Sequence, residues 1–436
     1  MTFKNLKILG ILLLMLAVFA VSGKKVSAAV EDGDLQYTIG VVVYNQDSPE
    51  MNMFMSYYRD YIQQGFPVKF YFSGSINSAE DEIDFIRAMK LQGVSGIISF
   101  YGQDIQKIVE ACDEEEMYYV LGSGSISDKD YEQIKTSQYF LGSVGPDAKA
   151  DYEAGYNMAE YFADTDTNNY LIPSGGASKG NYMHLQRTIG VLEGLAEKEG
   201  LTYSEDVEKL AASEETTVVD AGKDDITITI CPGYMTDPKG INNLKHAFVD
   251  GDYDAVFCTF NVDEIMKLIT SKEEEQGSNI KVGAVDCFSM ENHDEINDED
   301  SFGNPKIDYI AGKYASMGGP AFAILYNAMS GHPEANTDDT DYNTVRLYQG
   351  FWNASDKDTF NELYGYTQDI YENAYSCADL MEVIKAYNTD TTPEALKVLS
   401  CSGWERVCPI SASAPESFTF SSACRPVRII LRSFAP

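Results

Sequence analysis

Short apolar runs alternate with longer amphipathic stretches along most of the chain. Tyr37–Val43 reads YTIGVVV, a continuous apolar run typical of a strand buried on both faces of a parallel sheet. Ala79–Gln92 carries apolar residues at helical spacing, and Gly96–Phe100 (GIISF) predicts another buried strand. The same alternation continues to a strand at Tyr139–Val144.

The alternation then restarts with a predicted helix at Ala148–Phe162 and a strand at Tyr170–Pro173. Ile226–Cys231 (ITITIC) and Ala255–Thr259 are further predicted strands with helical stretches between them. Two successive series of this kind predict an α/β protein with two doubly wound parallel sheets, one in each of two lobes. Ligands of such sheets bind beyond the carboxyl ends of the strands, which would face each other across a cleft.

The N-terminus has the pattern of a secretory signal. Lys4 and Lys7 precede an apolar run from Ile8 to Val21, and small residues follow at Ser27–Ala29. We predict a signal peptide over 1–29. The run is short for a membrane span, which needs about 20 residues; an uncleaved anchor that tethers the protein to the membrane is the alternative. Either way, we expect an exported, extracytoplasmic protein.

Composition supports a soluble body and limits its partners. Hydrophobic residues make up 44% of the chain, and the formal net charge is −36. A surface this acidic repels nucleic acid, so we expect no nucleic-acid partner. From residue 400 onward the acidic character ends and cysteine, serine, proline and arginine dominate. We hypothesise that 400–436 is an irregular tail that could arise from out-of-frame translation.

No pattern of catalytic or metal-binding residues stands out. The eight cysteines form no CxxC pair, and the four histidines are scattered. Gly175–Gly180 is glycine-rich but does not match a phosphate-binding loop, so a flexible strand-to-helix loop is favoured. The acidic stretches 293–300 and 336–341 lack the glycine of a calcium-binding loop and predict solvated loops. We therefore expect no enzyme activity, no cofactor and no metal.

Six segments, in chain order, resemble the type I periplasmic binding proteins, in particular the ribose-binding-like sugar branch that also supplies the effector domains of LacI-type repressors. They are Ile39–Pro49 (IGVVVYNQDSP), Leu91–Ser99 (LQGVSGIIS), Arg187–Gly190 (RTIG), Asp252–Asp263 (DYDAVFCTFNVD), Val282–Asp286 (VGAVD) and Ala311–Ala321. The resemblance implies two lobes joined by a three-segment hinge. It places 36–144 and about 313–345 in the N-terminal lobe, and 145–312 and about 346–399 in the C-terminal lobe.

The resemblance also implies ligand-binding positions in the first lobe. Tyr44 and Ser48 match polar contact positions, whereas Glu50 and Met51 stand where sugar binders usually have stacking aromatics. Ser123 and the following glycine replace an Asp-Arg pair of the ribose binders, which argues against ribose itself. Tyr101 is a further candidate. Packing of both tyrosines and solvation of Glu50 are the alternatives.

In the second lobe, Arg187, Asn261 and Asp286 match the family's ligand-binding arginine, asparagine and aspartate. The other candidates are Tyr234, near an aromatic wall position, and Lys313 and Tyr314 at the last crossover. A guanidinium, an amide and a carboxylate together can bind vicinal hydroxyls. Alternatively, Arg187 pairs with surface acids, Asp286 caps the next helix, Asn261 belongs to a turn, and Lys313 is solvated.

The functional prediction is a monomer that captures a small polar solute, a sugar in the first instance, and presents it to an ABC permease in the membrane. Nucleosides, amino-acid derivatives and a signalling furanone remain open as ligands. The alternative is a sensory protein that feeds a membrane histidine kinase or chemoreceptor. An exported enzyme is disfavoured because no catalytic set is visible, and a LacI-type repressor because the chain has a leader and no helix-turn-helix.

Overall fold

The computed structural model describes residues 36–163, 165–368 and 374–407. The predicted signal peptide at 1–29 and most of the predicted tail at 400–436 lie outside the described residues. The last described helix continues to Val407, beyond the predicted start of the tail.

The strands are β1 Tyr37–Val43, β2 Val68–Ser75, β3 Gly96–Ser99, β4 Tyr118–Leu121, β5 Phe140–Gly145, β6 Asn169–Gly175, β7 Thr217–Val219, β8 Thr227–Pro232, β9 Ala255–Cys258, β10 Lys281–Cys287, β11 Tyr309–Lys313, β12 Val345–Tyr348 and β13 Trp352–Ala354. The helices are α1 Pro49–Ser56, which continues through a π-helical Tyr57–Ile62 to Gln63–Gly65, α2 Ala79–Leu91, α3 Ile105–Glu114, α4 Asp128–Ile134, α5 Ala148–Ala163, α6 Tyr182–Glu199, α7 Val207–Ala211, α8 Pro238–Asp250, α9 Met266–Gln276, α10 Met290–Asn297, α11 Gly319–Met329, α12 Lys357–Gln368, α13 Cys377–Val383 and α14 Pro393–Val407.

These strands form two sheets, as predicted. The first has the order β12-β5-β4-β3-β1-β2, and all its strands are parallel. The second has the order β13-β11-β10-β9-β6-β8-β7. It is parallel except for the pairs β11–β13 and β7–β8 at its two edges. The predicted α/β class with two parallel-sheet lobes is confirmed.

Helices cover both faces of each sheet, which explains the continuous apolar strands. In β1, Ile39, Val41 and Val43 belong to one core cluster, whereas Val42 belongs to another on the opposite face. The first of these clusters runs on through the hinge to one face of the second sheet, and a third cluster covers that sheet's other face. A strand buried on both sides has no position for a polar residue until its end, where the functional loops begin.

The chain passes between the sheets at 146–147, 314–318 and 349–351, which connect β5 to α5, β11 to α11, and β12 to β13. Tyr314 in the second crossing stacks on Trp352, with ring centroids 3.9 Å apart and planes 5° from parallel. In the third crossing, Gln349 Nε2 donates to the Met317 carbonyl at 3.1 Å. The second and third crossings are therefore packed against each other.

The end of the chain departs from the predicted lobe boundaries. We placed 346–399 in the second lobe, and β13 and α12 do pack there, against β11 and α10. However, β12 pairs with β5, while α13 and α14 contact α11 and each other. Helix α11 packs on β3, β4 and β5 of the first sheet. The last helices thus bury their apolar faces on the first lobe.

Within the described ranges, no helix is both long and apolar enough to cross a membrane.

Candidate ligand-binding cleft between the two lobes

Lys313 joins the two lobes at the carboxyl ends of their strands. It is the last residue of β11, and only 6% of the residue is exposed. Its Nζ donates to Glu50 Oε1 at 2.9 Å and to the Ser123 carbonyl at 3.3 Å, both in the first lobe. An ammonium removed from water needs such partners, because an isolated buried charge is very costly. The predicted alternative of a solvated Lys313 does not describe this side chain.

Glu50 is held by the start of α1. Pro49 opens the helix, and Glu50 lies in its first turn, where the helix dipole favours a negative charge. The Tyr44 hydroxyl donates to Glu50 Oε2 at 3.4 Å and shares a hydrogen bond of 3.0 Å with Ser48 Oγ. Burial is the main cause that raises the pKa of Tyr44 well above its usual value, and the charge of Glu50 is the second. The hydroxyl therefore stays protonated as a donor.

Ser123, the second first-lobe partner of Lys313, lies in the loop after β4. Its backbone is left-handed, with φ of 56°, and the residue is 7% exposed. Its Oγ has no hydrogen-bond partner among the described residues. A buried hydroxyl without a partner is unfavourable, so this atom is available to a ligand.

Asp286 lies near the end of β10, in the second lobe. Its Oδ2 accepts the Val262 N–H at 2.8 Å, and the Cys287 thiol donates to Oδ1 at 3.3 Å. Burial raises its pKa to about 6, and Glu50 across the cleft adds to the rise. The alternative of a helix cap is not what the structure shows, because Ser289 caps α10 by accepting the Asn292 N–H.

Asn261 is part of a turn, which was one of its two predicted interpretations. Its Oδ1 accepts the Asp263 N–H at 2.9 Å and caps the short 3₁₀ turn Val262–Glu264. The turn brings the Val262 N–H to Asp286. The side-chain amide nitrogen of Asn261 remains a donor at the end of β9.

Arg187 is paired inside the second lobe. Its Nε donates to Asp151 Oδ1 at 2.8 Å and its Nη1 to the Thr259 carbonyl at 2.9 Å, and the guanidinium lies 5.4 Å from the Phe351 ring centroid. Asp151 is on α5 and Arg187 on α6, and both are buried. The sequence indicated pairing with surface acids as an alternative; the partner is an acid, but a buried one.

Tyr234 belongs to an aromatic group that includes a histidine we did not predict. Its hydroxyl hydrogen-bonds His184 Nδ1 at 3.1 Å, and its ring packs edge-on against Phe260 at 5.3 Å. His184 Nδ1 also accepts the Gly176 N–H at 3.1 Å. Burial, together with the charges of Arg187 and Lys313, lowers the pKa of His184 well below its usual value, so the ring is neutral. Its position one turn before Arg187 on α6 was the available sequence signal.

Three predicted residues lie apart from this group. Met51 is fully buried in the core, and Tyr314 is 1% exposed under Trp352. The Tyr101 hydroxyl donates to Gln103 at 3.1 Å, within the first lobe. Packing is thus the observed environment of Met51 and Tyr314.

A cavity of about 490 Å³ opens beside the Lys313–Glu50 contact. α1 lines one side with Asn52 and Tyr57, and the second lobe lines the other with Phe288, Glu291 and Tyr364. None of the twelve predicted site residues lines it. The lobes are therefore in contact where Lys313 meets Glu50 and Ser123, and they are separated at this flank.

The described residues contain no group of three or more histidine, cysteine, aspartate or glutamate side chains placed to hold a metal ion. Cys112, Cys231, Cys258 and Cys287 are buried free thiols, and Cys377 is a half-buried one.

No protein-family model matches the chain, and no curated protein matches it. Solved structures do match. A periplasmic solute-binding protein of an ABC transporter from Actinobacillus succinogenes, with bound D-allose, has a TM-score of 0.54 at 12% identity, over 75% of this chain and 99% of that chain. An ABC transporter solute-binding protein from Bacillus halodurans with bound myo-inositol has a TM-score of 0.53 at 13% identity, and the match covers 77% of this chain and 99% of that chain.

The periplasmic binding component of an arabinose ABC transporter from Shewanella sp. ANA-3, bound to L-arabinofuranose, has a TM-score of 0.50 at 14% identity. The match covers 76% of this chain and 95% of that chain. Identities this low support the fold alone. The two-sheet topology, the three hinge crossings and these matches agree with the resemblance seen in the sequence. The chain has the two-lobed α/β fold of the type I periplasmic binding proteins.

Proposed function

We propose that this protein is an extracytoplasmic solute-binding protein that captures a sugar or related polyol between its lobes and delivers it to an ABC permease. The observation that carries the proposal is the polar junction at Lys313. There, a cation from the second lobe meets Glu50 and Ser123 of the first lobe, at the strand ends where this fold class binds ligands.

The groups around the junction suit hydroxyl-rich ligands. Asp286 and Glu50 accept hydrogen bonds, Lys313 donates them, and the Ser123 hydroxyl can do both. Tyr44, Ser48, Asn261 and Arg187 would add polar contacts. Tyr234 would cover the less polar face of a sugar ring. The bound ligands of the three similar structures, D-allose, myo-inositol and L-arabinofuranose, are all neutral polyols, which supports this class.

The mechanism would be closure of the lobes about the three crossings. A ligand in the cleft contacts both lobes only when they are closed, and so favours the closed state by its differential affinity. The Cys287 thiol lies beside Asp286, but burial raises its pKa well above the usual value and keeps it protonated, so we propose binding without catalysis. Delivery to a permease and export from the cytoplasm rest on analogy with the similar structures.

The test is thermal unfolding of the purified protein with hexoses, pentoses, inositols, nucleosides and amino acids. A ligand at one hundred times its Kd stabilises the native state by about 2.7 kcal/mol, which raises Tm by several degrees. We expect polyols to give this shift and Lys313→Met to reduce it severalfold.

Lys272→Met is the matched control. Lys272 is also buried and pairs with Asp252 at 3.0 Å, but Asp252 precedes β9, at the opposite end of the sheet from the cleft. The control should lower Tm yet keep the ligand-induced shift. A folded protein that none of these compounds stabilises would contradict the proposal.

A further inference from the structure

The cleft has more negative than positive charge once its ion pairs are counted. Lys313 is neutralised by Glu50 at 2.9 Å and Arg187 by Asp151 at 2.8 Å. His184 is uncharged, because burial lowers its pKa well below the usual range. Lys179, which follows β6, likewise pairs with Asp237 at 3.0 Å. In the part of the chain that the structure describes, these three cations therefore already have a carboxylate partner.

Three carboxyl groups at the same strand ends have no lysine or arginine partner among the described residues. Asp286 accepts from the Val262 N–H and the Cys287 thiol, and Glu264 Oε2 accepts the Met235 N–H at 3.3 Å. Asp263 Oδ2 is buried and has no hydrogen-bond partner within the described ranges. Burial raises the pKa of Asp263 to about 7, and the charge of Asp286 is the next largest cause. These groups repel one another and would repel an anion.

Ser123 adds an independent sign of a ligand contact on the facing side. The residue is buried, its carbonyl accepts from Lys313, and its Oγ has no partner among the described residues. A ligand that reached both Ser123 and Asp286 would span the junction from one lobe to the other.

We propose that the cleft selects ligands that carry a protonated amine, an amino sugar rather than a neutral sugar or a sugar acid, with Asp286 as the counter-ion. This inference rests on the proposed function. An ammonium beside Asp286 supplies the positive charge that the three carboxyl groups lack. Asp286 keeps lone pairs free for it, because a carboxylate offers about four acceptor positions. A sugar carboxylate would face Asp286 and Glu50 with every nearby cation already paired.

The test compares four forms of one ring by calorimetry near neutral pH: glucose, glucosamine, N-acetylglucosamine and glucuronate, and the same four forms of galactose. The N-acetyl form keeps the nitrogen but removes its charge. We expect the amine to bind at least about tenfold more tightly than the neutral and N-acetyl forms. The uronate should show no binding.

Asp286→Asn should remove the preference, so that the amine and the neutral sugar bind the variant with similar affinity. Asp308→Asn is its matched control: Asp308 is also half-buried and accepts the Val282 N–H at 2.8 Å, but it precedes β11 at the far end of the sheet. The control should keep the full amine preference.

The outcomes are distinct. Equal binding of amine and neutral forms, or tighter binding of the uronate, would overturn charge selection and leave the proposed function in place. Binding of none of the eight compounds would count against both. The comparison in the unmodified protein does not depend on whether the Asp286 variant folds.

Discussion

Arg187–Asp151 is a buried ion pair and Lys313–Glu50 a partly buried one; their lengths are nearly equal, 2.8 and 2.9 Å, but they connect different parts of the molecule. The first joins α5 to α6 within the second lobe. The second joins the end of β11 to the start of α1 in the other lobe. Both pairs involve residues predicted to contact ligand.

The two pairs differ in what happens when they are broken. Within one lobe, a lost partner leaves a charge that no movement can expose, because α5 and α6 are in backbone contact. A Cβ on Gly155 would lie 2.0 Å from the Arg187 carbonyl, and one on Gly190 would lie 2.1 Å from the Tyr152 carbonyl. Across the cleft, separation of the lobes can return a charge to water. The first pair should therefore contribute to folding and the second to the position of the lobes.

The largest expected effect is from Arg187→Met, which leaves Asp151 buried without its cation. We expect a loss of about 3–5 kcal/mol in the free energy of unfolding, measured by urea denaturation. Lys198→Met is the matched control, because Lys198 on α6 pairs with Glu160 on α5 at the surface. The Lys198→Met variant should lose less than about 1 kcal/mol in the free energy of unfolding. Equal losses for the two variants would remove the distinction between the pairs.

A buried carboxyl group that has no lysine or arginine partner in the described part of the chain extends the comparison. Glu82 in the first lobe is fully buried and accepts the Tyr119 hydroxyl at 3.0 Å, and burial raises its pKa to about 7. Since the folded pKa lies above the unfolded one, the folded state binds the proton more tightly. The contribution of Glu82 to the free energy of unfolding is complete below about pH 4.5 and is lost as pH rises to about 7, a change on the order of 3 kcal/mol.

The measurement is the difference in unfolding free energy between the unmodified protein and Glu82→Gln across this range. The amide keeps a group of the same shape and cannot ionise, so the variant should gain relative stability as pH rises. A difference that is independent of pH would show that Glu82 has an ordinary pKa.

The smallest effect on stability should come from Glu50→Gln, which breaks the pair across the lobes. We expect a change in unfolding free energy within about 1 kcal/mol, because Lys313 can regain water when the lobes separate. We also expect a larger radius of gyration by small-angle X-ray scattering without ligand.

Asp128→Asn is the control, since Asp128 pairs with Arg346 within the first lobe, at 2.6 Å. It should leave the radius unchanged. A destabilisation by Glu50→Gln as large as that of Arg187→Met, with no change in radius, would assign the Lys313–Glu50 pair to folding instead.

The alternating pattern predicted the elements with large apolar faces well. The predicted bounds of β1 coincide with the observed ones, and those of α5 differ by one residue at the C-terminal end. Elements with few buried residues were missed. We predicted a solvated loop at 293–300, but α10 spans Met290–Asn297 and buries only Asn292 and Ile296. Two buried positions do not make a recognisable period.

The site shows the same division between local and non-local information. Placement of Tyr44, Asn261 and Asp286 near the ends of buried strands followed from the strands themselves. The partner of Arg187 did not, because Asp151 lies 36 positions earlier on another helix. His184 was set aside as one of four scattered histidines, although α6 brings it to Tyr234, 50 positions later.

By itself, the sequence determined the α/β class, the two series of strands and the loops in which polar residues collect, because burial on both faces of a sheet leaves a local apolar signal. The tertiary structure alone decided which charges are paired. Lys313 and Glu50 are 263 positions apart and meet across the contact between the lobes, and Arg187 meets Asp151 where two glycines let their helices approach closely. Charge pairing depends on distances between elements, and no periodicity along the chain records those distances.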